Sequence, residues 1–131
     1  MVVLLLICAL VIDVGYLFYR RVHLQNAADA AALAAATEGK KAENAEETNE
    51  EGLKKVADEY ITLHGIAADD DTLDFKFNES TTTVTVIITA DEPLFFGPLV
   101  KIDHWNIYVQ SSAAWFDDVS FSGVKLIGQD N

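Results

Sequence analysis

Apolar side chains run almost unbroken from Val2 to Tyr19, in MVVLLLICALVIDVGYLFY, where Asp13 is the only charged residue. At a rise of about 1.5 Å per residue, a helix of this length reaches about 28 Å, close to the hydrocarbon thickness of a bilayer. From Val2 to about Thr37 there is no proline and a single glycine, Gly15, so one helix of roughly 35 residues is predicted. Its second half reads LQNAADAAALAAAT. Ala27, Ala31 and Ala35 fall there at i, i+4, i+8, and so do Ala28, Ala32 and Ala36. Two such rows of small side chains let another backbone come close. That backbone can belong to a second molecule or to the chain's own head.

The pattern then changes twice. Gly39 and KKAENAEETNEE mark a break or a solvated link, and Thr48 with Glu51 has the spacing of a capping box. A second helix is predicted over about 49–64, with Leu53, Val56, Ala57, Tyr60, Ile61 and His64 on one face and Gly65 at its C-terminal cap. After it the period becomes two. Alternation predicts strands over about 72–78, 83–90 and 104–115, with a weaker fourth over 119–127. The short ESTTT link between the first two strands suits an antiparallel hairpin. The expected division is an anchor or core helix over 1–37 and a globular head over 38–131. The expected fold class is α+β, with a long N-terminal helix and a second helix packed with a small antiparallel sheet.

Charge sharpens this division. Residues up to Thr37 are neutral in sum, so the seven basic and nineteen acidic residues beyond them carry the entire net charge of −12. An acidic head repels nucleic acid and anionic membrane surfaces, which argues against polyanions as partners. Read from Met1, the apolar run has no basic residue before it and Arg20 and Arg21 after it, which places the head in the cytoplasm; a basic leader upstream reverses that orientation. The only cysteine, Cys8, lies in the apolar run, so no intrachain disulfide forms.

Candidate chemistry is sparse. His23, His64 and His104 are scattered, and no nucleophile elbow, phosphate-binding glycine loop or metal-binding histidine motif occurs, so no catalytic, cofactor or metal site is assigned and no enzyme is expected. Asp69, Asp70, Asp71 and Asp74 lack the spacing of a calcium loop and are expected to form a solvated turn. Asn78-Glu79-Ser80 is an acceptor sequence for glycosylation. Asp13 is the informative charge, because a carboxylate within a membrane helix needs a partner. Either it snorkels towards Arg20 or Arg21, or it meets a cation on a neighbouring copy. The loop LFFGPL presents Leu94, Phe95 and Phe96, which either close the core or offer an interface to a partner or membrane.

The stretch VIDVGYLFYRRVHLQNAADAAALAAAT, residues 11 to 37, resembles the anchor of TadE/TadG-like tight-adherence pilus proteins, with its aspartate-glycine-aromatic segment and QNAADAAALAAA-type tail. TVTVIITADEPLFFGPL and IYVQSSAAW are similar in layout to that family's sheet, more loosely. The resemblance implies a type IV pilin-like fold and a precursor held in the cytoplasmic membrane, trimmed by a prepilin peptidase and handed to a pilus assembly machinery. It carries Asp13 and Gly15 onto the family's membrane-exit position, and the six alanines onto its helix-packing tail. The opening MVVLLLI departs from the family pattern, having neither a short basic leader nor the early glutamate that pairs with an amino terminus. Asp13 is the candidate substitute. The expected function is therefore a structural subunit of a cell-surface filament, a homopolymer or a mixture with other pilin subunits, bundled through its first helix. The alternative is a single-copy membrane-anchored assembly or envelope protein whose head binds another protein.

Overall fold

The computed structural model describes residues 1–44, 49–66 and 73–116. Its elements in chain order are α1 (Val2–Asn44), α2 (Glu50–Leu63), β1 (Leu73–Asn78), β2 (Thr83–Pro93) and β3 (His104–Ala114), with a single 3-10 turn at Gly97–Val100. A long N-terminal helix, a second helix and a three-stranded antiparallel sheet make an α+β, pilin-like fold. The candidate strand over 119–127, Thr48, and Asp69 to Asp71 lie outside the described residues.

α1 does not break at Gly39 but runs on to Asn44. The reason lies in the sheet's far end. Gly39 is buried, and a Cβ built on it would sit 2.5 Å from the Trp115 ring, so the glycine makes room for an indole rather than a turn. Trp115 stacks on Phe77 and donates from Nε1 to Glu43 Oε2 at 2.6 Å, binding the last turns of α1 to the head.

α2 starts on a different cap from the one the capping-box spacing suggests. Asn49 is the N-cap residue, its side chain accepting the Glu51 N–H at 3.0 Å, with Glu50 and Glu51 in the first turn where the helix dipole favours them. At the other end Gly65 takes φ +75°. Its N–H donates to Thr62 O and that of Ile66 to Ile61 O, the paired bonds of a Schellman motif, which only a residue at ease with positive φ permits. Leu53, Ala57 and Ile61 form the buried row against α1, while Tyr60 is largely exposed. Fully burying Leu53 and Ile61 contributes about 1.5–3 kcal/mol apiece.

The sheet has the order β1-β2-β3, with Val86 paired to Phe75 on one side and to Ser111 on the other. Period-two alternation puts Val84, Val86 and Ile88 of β2 and Ile107 and Val109 of β3 in one core with Leu24, the six alanines and the α2 row. α1 is the element on which α2, β2 and β3 pack, while β1 joins the fold through β2.

Candidate functional site

α1 has two halves of opposite character. Leu24, Ala27, Ala28, Ala31, Ala32 and Ala35 are completely buried and Ala36 nearly so, all within one cluster with the chain's own sheet and α2. The side chains that the sequence offered to a neighbouring molecule are therefore already covered by the head. A methyl group keeps the distance between helix and sheet short, which is why a nearly continuous alanine face suits this contact. By contrast, from Met1 to Val14 every large apolar side chain is at least about half exposed. This half is long and apolar enough, by length and composition, to cross a membrane. Cys8 is exposed on it. Gly15, at its end, faces open space, where a Cβ would meet nothing within 4 Å.

Where the bare half joins the head, three polar side chains of α1 turn towards one loop and one strand end. Asp13 is 6% exposed. Its Oδ1 accepts the Phe95 N–H at 2.9 Å and its Oδ2 the Phe96 N–H at 3.0 Å. Within the chain Asp13 meets neither Arg20 nor Arg21, towards which it was expected to snorkel, but two backbone amides of the aromatic loop. The chemistry is that of an N-cap carried across 82 residues of sequence, a carboxylate gathering N–H groups that the end of β2 leaves without ladder partners.

One turn further along, Glu92 is also buried, at 7% exposure. Arg20 Nε donates to its Oε1 at 2.8 Å and Nη2 lies 2.7 Å from the same oxygen as an ion pair, while the Tyr16 hydroxyl donates to its Oε2 at 3.1 Å. The hydrogen bond to Glu92 holds the Arg20 guanidinium above its ordinary pKa, against a smaller opposing effect of desolvation. Nothing in the sequence motifs marks Glu92 or Tyr16, and alternation sets Trp105 on one strand face with Ile107 and Val109. For Glu92 a signal existed: it continues the core phase Val84, Val86, Ile88, Ala90, and a carboxylate on that phase demands a partner on whatever the sheet covers.

Leu94, Phe95 and Phe96 do not close the core. Phe95 is 64% and Phe96 39% exposed. The Phe95 ring meets Tyr16 edge-on, with centroids 5.1 Å apart. With Leu99, Val100, Ile102 and Trp105 the loop forms one wall of an apolar groove of about 260 Å³. The opposite wall is α1 from Leu6 to Leu17.

The remaining candidates lie elsewhere. Asn78 is exposed at the end of β1, where its Oδ1 accepts the N–H of Ser80 in the following turn at 3.0 Å. His23 Nε2 bonds His64 O at 2.9 Å, joining α1 to the end of α2, and Asp74 pairs with Lys76 at 3.6 Å. Among the described residues no three His, Cys, Asp or Glu side chains gather as a metal site.

Residues 1–38 match the family model described as "Putative Flp pilus-assembly TadE/G-like". The match contains Asp13, Gly15 and the six alanines, the residues that carry the sequence resemblance; the sheet and its aromatic loop lie beyond it. No curated protein and no solved structure matches the chain.

Proposed function

We propose that the chain is a pilus-associated protein held in the cytoplasmic membrane by the first half of α1, with its acidic head at the membrane surface and a structural rather than catalytic task. The match of residues 1–38 to a pilus-assembly family supports the association. The observation that carries the anchoring is the contrast within α1, bare and apolar before Asp13 and covered along its alanine face from Leu24 onward. A continuous helix with one lipid-compatible half and one half built into its own head transmits position from bilayer to head without a hinge.

Between the two forms this role can take, the junction favours a membrane-resident assembly or envelope component. The six alanines and Asp13 are all engaged within the chain, and the aromatic loop flanks one face of the bare half, so fewer surfaces remain for bundling with copies. A filament subunit is the second reading. It is favoured by the exposed large apolar side chains from Met1 to Val14, which would pack against other subunits once a prepilin peptidase and assembly machinery had delivered the chain. In either form Asn78 is an exposed acceptor, to be glycosylated where the head is outside and the host modifies such sites.

Fractionation of cells tests the proposal. Recovery of the chain in detergent-extracted membrane at low copy, with mechanically sheared filaments free of it, is the result expected. Sheared filaments built mainly of this chain would replace the first form by the second, and recovery in neither membrane nor filament would overturn both.

A further inference from the structure

The loop between β2 and β3 carries a property that an interface with water does not require. Phe95, Leu99, Val100 and Trp105 are each more than half exposed, yet six of the eight backbone N–H groups from Leu94 to Ile102 donate within the chain. Leu94 N–H donates to Asp103 O, those of Phe95 and Phe96 to Asp13, that of Leu99 to Phe96 O, that of Lys101 to Pro98 O and that of Ile102 to Gly97 O. Pro98 has no N–H to satisfy. Pairing within the protein lowers the cost of placing irregular backbone in a low-dielectric surrounding, and this loop pairs most of its N–H groups while turning apolar side chains outward.

Its position along α1 points the same way. The loop is fastened at Asp13, seven residues before Arg20, hence about 10 Å further along the helix in the direction of the bare half. Interfacial apolar segments enter a bilayer by about 5–10 Å, so with Arg20 at the water boundary the loop sits at the depth of the upper acyl chains. The only charged side chain from Leu94 to Ile102 is Lys101, exposed and long enough to reach headgroups. Gly97 is buried with Ile102 O and the Leu94 side chain against the place of its missing Cβ, which keeps the loop folded tightly on itself.

Resting on the membrane-anchored reading above, we propose that the segment from Leu94 to Ile102, with Trp105, is a ledge that inserts into the leaflet next to the head, and that the groove between it and α1 takes phospholipid acyl chains. The groove is continuous with the lipid-facing surface of the anchor, and Asp13, the one carboxylate in its wall, already has its hydrogen bonds. The head is thereby fixed against the bilayer at two points, a helix and a ledge, and cannot swivel about the helix axis.

Trp105 reports on this directly, because Trp115 is buried in the core and Trp105 lies on the groove. The full chain is reconstituted into phosphatidylcholine vesicles, its association measured by flotation, and tryptophan emission recorded with acyl-chain-brominated lipid and with aqueous iodide. Trp105→Phe, a change at an exposed position, identifies the Trp105 component by difference. The expected result is flotation together with a blue-shifted Trp105 emission that brominated lipid quenches and iodide does not. Flotation with Trp105 quenched by iodide but not by brominated lipid overturns the ledge and leaves the anchor standing. Shielding from both quenchers means that protein, such as a second copy, covers the groove, and also overturns it. Failure to float removes the anchor and the ledge together.

Discussion

Asp13 Oδ1 lies 2.9 Å from the amide nitrogen of Phe95, so the one charge within the apolar half of α1 is spent on holding a loop of the chain's own head. Asp13→Ala leaves the Phe95 and Phe96 amides without acceptors in a partly buried place, and a loss of about 1–3 kcal/mol is expected. Asp13→Asn retains one acceptor oxygen and is expected to lose less. Hydrogen exchange at Phe95 and Phe96 in the detergent-solubilised chain checks this: both amides exchange faster in the alanine variant while the core of β2 stays protected. Unchanged exchange at the two amides would remove Asp13 from its role as fastener.

Glu92 is the second fixed point. Its carboxylate accepts from Arg20 and Tyr16, with side-chain exposures of 10% for Glu92 and 26% for Arg20, so the pair is shielded enough to matter. Glu92→Gln leaves Arg20 beside a neutral acceptor and is expected to cost about 1–3 kcal/mol in denaturant unfolding. Tyr16→Phe removes a single hydrogen bond and is expected to cost about 0.5–1.5 kcal/mol. If both variants unfold at the wild-type midpoint, the cluster has no part in joining helix and head.

The junction of Gly39 with Trp115 predicts a coupled pair. Gly39→Ala places a methyl group within 2.5 Å of the indole, and the resulting overpacking is expected to cost about 1–3 kcal/mol. Combining it with Trp115→Leu should recover part of that loss, because the smaller side chain vacates the space. Thermal unfolding of the two single variants and the double variant measures the interaction; strict additivity would show that the methyl group finds room without moving the ring.

Gly15 is the opposite case. A Cβ there meets nothing in the chain, and alanine favours a helix interior by about 0.5–1 kcal/mol over glycine. Gly15→Ala is therefore expected to leave the head's unfolding midpoint unchanged or raised. A variant that folds normally but fails to co-purify with pilus components would place a partner's backbone against Gly15. A destabilised head would instead show an intramolecular contact at this position.

What the sequence made legible was whatever depends on period. Alternation in LDFKFN and TVTVIIT gave the strands, and the 3.6-residue stripe from Leu53 to Ile61 gave α2, because local backbone geometry writes itself into the spacing of apolar residues. The junction was only half legible. Asp13 stood out as a charge needing a partner, but its partners are backbone amides, and an N–H carries no residue code that could reveal them. Gly39 read as a break since a glycine that terminates a helix and one that admits a ring have the same letter; only the placement of Trp115, 76 residues later, separates them. The alanine rows likewise announced a close approach without naming what approaches.

That ambiguity yields the most direct test of how α1 is used. Ala31 and Ala32 have no exposed surface in a single chain, since β2, β3 and α2 pack on the helix that bears them. Ala31→Leu inserts three carbon atoms into this contact, and overpacking of that kind is expected to cost about 1–3 kcal/mol, with Ala32→Leu alike. The cost must appear in a monomer. Solubilised chains at a dilution where no association remains should show the lowered unfolding midpoint in full, whereas Leu33→Ala, at a position 65% exposed, should leave it unmoved. Were the alanines instead a contact between molecules, the dilute variants would unfold like wild type and the defect would appear only on assembly. The two outcomes separate a helix covered by its own head from one reserved for copies of itself.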